Sequence, residues 1–179
     1  MTSLQGLQSL KDIPRTPTRR PKIGFLGLGW IGLHRMNSLA QANLVDIAAI
    51  ADPDPNAVTR AEQSLCDAVR ASSLDALLTH DLDGIVIATP SAMHAQQVQT
   101  AVREGLAVFC QKPLARTESE TRATIELAQY QNCLLGVDFS YRHVAGLAKA
   151  RQIIADGSLG EIFMVDLTFH NAYGPDKPW

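Results

Sequence analysis

The sequence is short of several things, and each shortage removes a class of function. Aromatic residues make up 6% of the 179 residues, and cysteine occurs three times, at Cys66, Cys110 and Cys133. An odd number of widely spaced cysteines with no C-x-x-C pair supplies neither a disulfide framework nor a thiolate metal site. Buried thiols in a reducing compartment are the expectation. Neither sign of charge dominates: 16 Lys and Arg against 18 Asp and Glu leave a formal net charge of −2. That balance gives no electrostatic footprint for nucleic acid or an acidic membrane surface. No apolar run reaches the roughly 20 residues that a membrane helix needs. A cytoplasmic protein without nucleic-acid or membrane partners is expected.

What is present is an ordinary globular balance, 46% apolar and 19% charged, enough for one α/β domain and the start of a second. Residues 1–21 are polar and carry Pro14, Pro17 and Pro21, which interrupt any helix, so a flexible leader is expected. Thr18-Arg19-Arg20 ahead of an apolar stretch has the outline of a twin-arginine export signal. That stretch is better explained as a strand with its glycine turn.

From Lys22 onward, short apolar runs alternate with helical patterns. Strands are predicted at 23–26, 44–51, 68–71, 84–88, 106–110 and 134–139. Helices are predicted at 30–41, 57–66, 73–80 and 92–104, with Leu33, Met36 and Ala40 on one face of the first. His94, Val98, Ala101 and Val102 share a face of the fourth. Thr117-x-x-Glu120 is a capping box that opens a further helix, with Ala123, Leu127 and Tyr130 expected inward. Strict alternation with short connections means an α/β fold, a Rossmann-type doubly wound parallel sheet over 22–140. The chain then changes character. A helix at 144–155 and a turn at 156–160 lead to EIFMVDLTFH (161–170), which alternates as a half-exposed strand does. Residues 141–179 therefore read as the beginning of an α+β domain with an antiparallel sheet.

The first strand runs into Gly27-Leu28-Gly29-Trp30-Ile31-Gly32, which opens a helix, and an acidic residue, Asp52, ends the second strand. A lone G-x-G-x-x-G is weak; in this context, with the acid twenty residues beyond Gly32, it is a dinucleotide fingerprint. Gly27 permits the tight turn, Gly29 lets backbone approach a pyrophosphate, and Gly32 lets helix pack on strand. The amides of Trp30, Ile31 and Gly32 then face the phosphates at the helix N-terminus. Asp52 would accept hydrogen bonds from the adenosine ribose and repel a 2′-phosphate. NAD is favoured over NADP.

Three more stretches lie at strand ends: Thr89-Pro90-Ser91-Ala92-Met93-His94, Cys110-Gln111-Lys112-Pro113, and Asp138 through His143. With them the chain resembles the glucose–fructose oxidoreductase / inositol dehydrogenase (Gfo/Idh/MocA) family over nearly all of 22–179. The most specific stretch, ATPSAMHAQQVQTAVREGLAVFCQKPLA, is similar to that family's TP-x-x-x-H … E-K-P pattern. The resemblance implies a hydride-transferring enzyme in which Lys112 sits beside nicotinamide and substrate, with the domain that begins at 141–179 serving substrate and homo-oligomer contacts. Its amine would hydrogen-bond the reacting hydroxyl of a polyol, sugar or similar secondary alcohol.

The resemblance further implies that Thr89, Pro90, His94, Gln111, Pro113 and Arg142 line the cofactor. Gln111 stands where the family has glutamate and keeps an acceptor without the charge, so a ribose contact there can survive. Pro113 holds the family's cis-proline position. His94 lies on the apolar face of its helix, and a packed histidine bonded to a backbone carbonyl, not a catalytic one, is expected. Tyr173 and Trp179 are weaker candidates to face substrate. The family's Asp-x-Gly-x-His motif, whose histidine serves as general acid/base, does not occur in the sequence. A truncated, inactive oxidoreductase is therefore expected. The alternatives are a non-catalytic dinucleotide-binding protein, or part of an NAD-dependent glycosidase of the same family.

Overall fold

The computed structural model describes residues 19–64, 67–168 and 170. Six strands form one parallel sheet in the order β3-β2-β1-β4-β5-β6. They are β1 (Lys22–Leu26), β2 (Asp46–Ala51), β3 (Val69–Ala71), β4 (Gly84–Ile87), β5 (Ala107–Gln111) and β6 (Leu135–Asp138). Between them run α1 (Trp30–Ala42), α2 (Pro55–Glu62), α3 (Leu74–Leu78), α4 (His94–Arg103) and α5 (Glu118–Tyr130). The order reverses between β1 and β4, the topological switch point at which such sheets open a crevice for ligand.

Local chemistry sets the element ends. Asn43 takes a left-handed φ of 53° and stops α1, so β2 begins at Asp46, two residues later than the apolar run suggests. Asp54 caps α2 through the Asn56 amide with Pro55 at the first helical position, and Ser73 caps α3 through the Ala76 amide. α2 stops at Glu62, short of the predicted 66; Leu65 and Cys66 lie outside the described residues. Thr117 Oγ1 accepts the Glu120 amide at the start of α5.

The inward face of α5 is turned from the expected one: Thr124 and Ala128 are buried, Leu127 half-buried, Ala123 exposed and Tyr130 86% exposed. The apolar pattern misled because Thr124 can be buried cheaply. Its hydroxyl donates to the Glu120 carbonyl and accepts from Gln99.

The core divides across the sheet. On one face, Leu77 of α3, Val98, Ala101 and Val102 of α4 and Ala128 of α5 pack on Leu26, Ala49, Ile85, Ile87 and Cys110. On the other, Met36 of α1 and Ala57, Val58 and Ala61 of α2 pack on Phe25, Ile50 and Val86. Removing a side chain as completely buried as Met36 costs about 2–5 kcal/mol, which makes α1 and its glycine turn a fixed platform. Beyond α1 this second face carries an open apolar groove of about 550 Å³ over Val86, Ala107, Phe109 and Gly136.

The end of the expected leader is attached. Arg19 forms a bidentate pair with Asp83, Arg20 pairs with Asp46, and the Pro21 carbonyl accepts the Asp46 amide. The rest of the leader, residues 1–18, lies outside the described residues. No described helix is long and apolar enough to cross a membrane.

The chain divides into two compact units after Asp138. The second, by itself, holds a short 3-10 turn at Ser140–His143 and α6 (Ala145–Ala155). The strand predicted at 161–170 is not found: residues 161–168 and 170 adopt no strand, with Phe163 94% exposed and Leu167 81% exposed. Alternating polarity marks one face of a strand, but a strand exists only through ladder partners, and no partner stands among the described residues.

Candidate functional site

The first half of the site is made by main chain. β1 ends at Leu26 and the chain turns through Gly27 at φ +91°, where a Cβ would sit 2.6 Å from the Ala88 carbonyl carbon. The Gly27 amide donates to the Ala51 carbonyl at 2.9 Å, tying the turn to the end of β2. Gly32 is more constrained still, because a Cβ would lie 1.9 Å from the Gly27 oxygen. Only glycine lets α1 start this close to β1. Gly29 is the opposite case: nothing lies within 4 Å of where its Cβ would be. Trp30, Ile31 and Gly32 form the first turn of α1, whose amides have no intrahelical acceptor and stand at the positive end of the helix dipole. The Trp30 ring is 75% exposed and stacks on His34 with centroids 6.5 Å apart.

Asp52 follows β2 and faces this turn. Its Oδ2 accepts the Leu28 amide at 2.6 Å and its Oδ1 accepts the Asp54 amide at 2.8 Å. The carboxylate is thus aimed by two main-chain donors, and each oxygen keeps a further lone pair for an outside hydroxyl. It also braces the glycine turn, a role the sequence did not suggest.

The second half is made by side chains. Thr89 and Pro90 follow β4, and the Thr89 hydroxyl donates to Gln97. His94 is 1% exposed; its Nδ1 lies 2.6 Å from the Pro113 carbonyl and its Nε2 2.8 Å from the Thr89 carbonyl. Both nitrogens are spent inside the protein, so His94 fastens the β4 exit to the Lys112–Pro113 turn and offers no free edge to a ligand. The Lys112–Pro113 bond is cis, and Lys112 itself is exposed.

Gln111 sits beside Asp138 in the β5–β6 register. Its Nε2 donates to Asp138 Oδ2 at 3.0 Å and its Oε1 accepts the Lys112 amide at 2.9 Å. The side chain expected on a ribose is engaged at both ends by protein. Asp138 is 6% exposed, and the same oxygen accepts Arg35 Nε of α1 at 2.6 Å. Arg35 and Asp138 carried no assigned role in the sequence reading; the available signal was a carboxylate at the carboxyl end of an otherwise apolar strand.

Just before Gln111, the Cys110 thiol is fully buried, and burial pushes its pKa up to about 12. Arg142 belongs to the second unit, is exposed, and holds its guanidinium 5.8 Å from the Phe139 ring centroid. Tyr173 and Trp179 lie outside the described residues. Among the described residues no group of three His, Cys, Asp or Glu could hold a metal ion.

Taken together, a positive-φ glycine turn, open space over Gly29, a helix N-terminus and a pre-aimed carboxylate fit a dinucleotide. These features define the class: a Rossmann unit for a nicotinamide cofactor. The comparisons give the family. Residues 21–139 match the family described as "Oxidoreductase family, NAD-binding Rossmann fold", and the chain belongs to this Gfo/Idh/MocA family.

The chain is 30% identical over 149 residues to the rhizopine catabolism protein MocA of Rhizobium meliloti, covering 82% of the chain and 46% of that protein. It is 30% identical over 160 residues to inositol 2-dehydrogenase of Rhizobium meliloti (strain 1021), covering 86% of the chain and 46% of that enzyme. Among solved structures, scyllo-inositol dehydrogenase from Lactobacillus casei with bound NAD(H) and scyllo-inositol superposes with a TM-score of 0.75 at 25% identity. That match covers 80% of this chain and 43% of the other. The chain spans less than half the length of these relatives.

Proposed function

We propose that this chain is the cofactor-holding part of an NAD-dependent oxidoreductase acting on a polyol, sugar or similar secondary alcohol. The observation that carries the reading is the open space over Gly29 beside an Asp52 carboxylate set by two main-chain amides. Gly27 through Gly32 would hold the pyrophosphate, and Asp52 the adenosine ribose. A 2′-phosphate would bring negative charge against Asp52, which favours NAD over NADP.

When bound, the nicotinamide supplies a hydride acceptor or donor. The residues of the chain bind, orient and polarise. Lys112 projects from a turn held by Gln111 on one side and His94 on the other. An ammonium there hydrogen-bonds the substrate oxygen and eases loss of its proton as the hydroxyl is oxidised. Relatives named for inositol support a polyhydroxylated substrate.

Titration with NADH, followed by nicotinamide fluorescence, tests the reading. Binding is expected, with Asp52→Ala weakening it about tenfold or more, as loss of a charged hydrogen-bond acceptor implies. Unaltered affinity in Asp52→Ala would refute the ribose assignment.

A further inference from the structure

Four groups from three different elements form one unbroken chain at the β5–β6 end of the sheet. Arg35 of α1 donates to Asp138 at the end of β6, and Gln111 at the end of β5 donates to the same carboxylate oxygen. The carbonyl end of the Gln111 amide then accepts the main-chain N–H of Lys112. The polarity of this chain is forced. Asp138 is 6% exposed and accepts only, so Gln111 must present its NH₂ to Asp138 and its oxygen to Lys112. Gln111 and Asp138 are direct register partners across a parallel pair, so neither can turn away without leaving a polar group unpaired.

We propose that Asp138, acting through Gln111, is a positioning residue for the Lys112–Pro113 turn, and that an amide at 111 and a carboxylate at 138 form a matched pair. The proposal rests on the reading of the Lys112 turn as the reacting end of the site. Its physical content is that the negative charge belongs to one of the two strand ends and not to both.

A glutamate at 111 beside Asp138 would set two carboxylates against each other, with Arg35 able to compensate one, and would remove the donor between them. An asparagine at 138 beside Gln111 would strand the Arg35 guanidinium without its carboxylate. Moving the charge, with Gln111→Glu and Asp138→Asn together, restores a donor at 138 and an acceptor at 111 and keeps one negative charge in the network, one hydrogen bond removed from Arg35. The fold of the sheet does not require this arrangement, because β5 and β6 pair through main chain along Val108 to Gln111.

The test is a double-mutant cycle on the full 179-residue chain, read without cofactor by the ¹H–¹⁵N signal and the exchange rate of the Lys112 amide. Gln111→Glu and Asp138→Asn should each move that signal and speed its exchange about tenfold, and the double variant should return both toward the starting protein. NADH affinity, read on the same four proteins, should follow the same order. If a single variant does not fold, a folded double variant with a protected Lys112 amide supports the pairing, and a double variant that fails as well overturns it. Effects of the two changes that simply add, or a Lys112 amide indifferent to Gln111→Glu, overturn it too. Failure of the starting chain to bind NADH would instead refute the cofactor reading and leave the amide result standing on its own.

Discussion

The two halves of the site are built by different means. At the β1–β2 end, the shape is main chain: a positive-φ glycine, a second glycine with its Cβ position blocked, and a carboxylate held by two amides, all between Gly27 and Asp54. At the β5–β6 end, the shape is side chain on side chain: Arg35 meets Asp138 across 103 residues of sequence, and Gln111 meets Asp138 across 27. A main-chain cradle admits almost no substitution. A side-chain network can be rewired.

The sharpest way to break this contrast is at the glycines. Gly32→Ala places a Cβ 1.9 Å from the Gly27 oxygen, and a loss of about 3 kcal/mol of stability is expected along with NADH binding, measured by urea unfolding. Gly29→Ala meets nothing within 4 Å. It should cost about 1 kcal/mol or less in stability, yet weaken NADH about tenfold or more by intruding on the phosphate path. Equal effects of the two changes on stability would dissolve the distinction between a packing glycine and an approach glycine.

A smaller effect probes how dry the β5 end is. Burial holds the Cys110 thiol protonated, with its pKa pushed up to about 12. In the folded protein at pH 8, Cys110 should resist a thiol reagent that labels the partly exposed Cys133, and should react once the chain is unfolded. Equally fast labelling of both thiols in the folded state would show that water reaches this strand end.

The smallest expected effect lies far from either half. The Arg19 guanidinium, with help from the Lys22 amide, holds the Asp83 carboxyl down to about 2. A depressed carboxylate stabilises the fold above its ordinary value of 3.8, and that stabilisation is lost as pH falls toward 2. Arg19→Ala should remove part of the loss of stability between pH 5 and pH 2, and only a modest part, since the pair is largely solvent-screened. No difference in the acid limb would mean that residue 19 belongs to the leader after all.

Much of the fold was legible because α/β alternation is a local signal, and five of the six strands announced themselves as apolar runs, with β3 (Val69–Ala71) the weaker signal. The meeting of the glycine turn and Asp52 was legible for the same reason: glycine spacing and an acid at a strand end are read along the chain. What was missed required the third dimension. The inward face of α5 turned on the ability of Thr124 to satisfy its own hydroxyl, which hydrophobicity does not encode. The Gln111–Asp138 bond was not foreseen because nothing in a local motif reveals Asp138 beside Gln111. The strand predicted at 161–170 had the pattern of a sheet face, but pattern without a partner makes no sheet.

A paired titration of the chain with NADH and NADPH tests whether Asp52 and the glycine turn select an NAD-type dinucleotide. NADH is expected to bind at least about tenfold more tightly, because a 2′-phosphate would face the Asp52 carboxylate. Equal affinity for the two, or tighter NADPH binding, would contradict it.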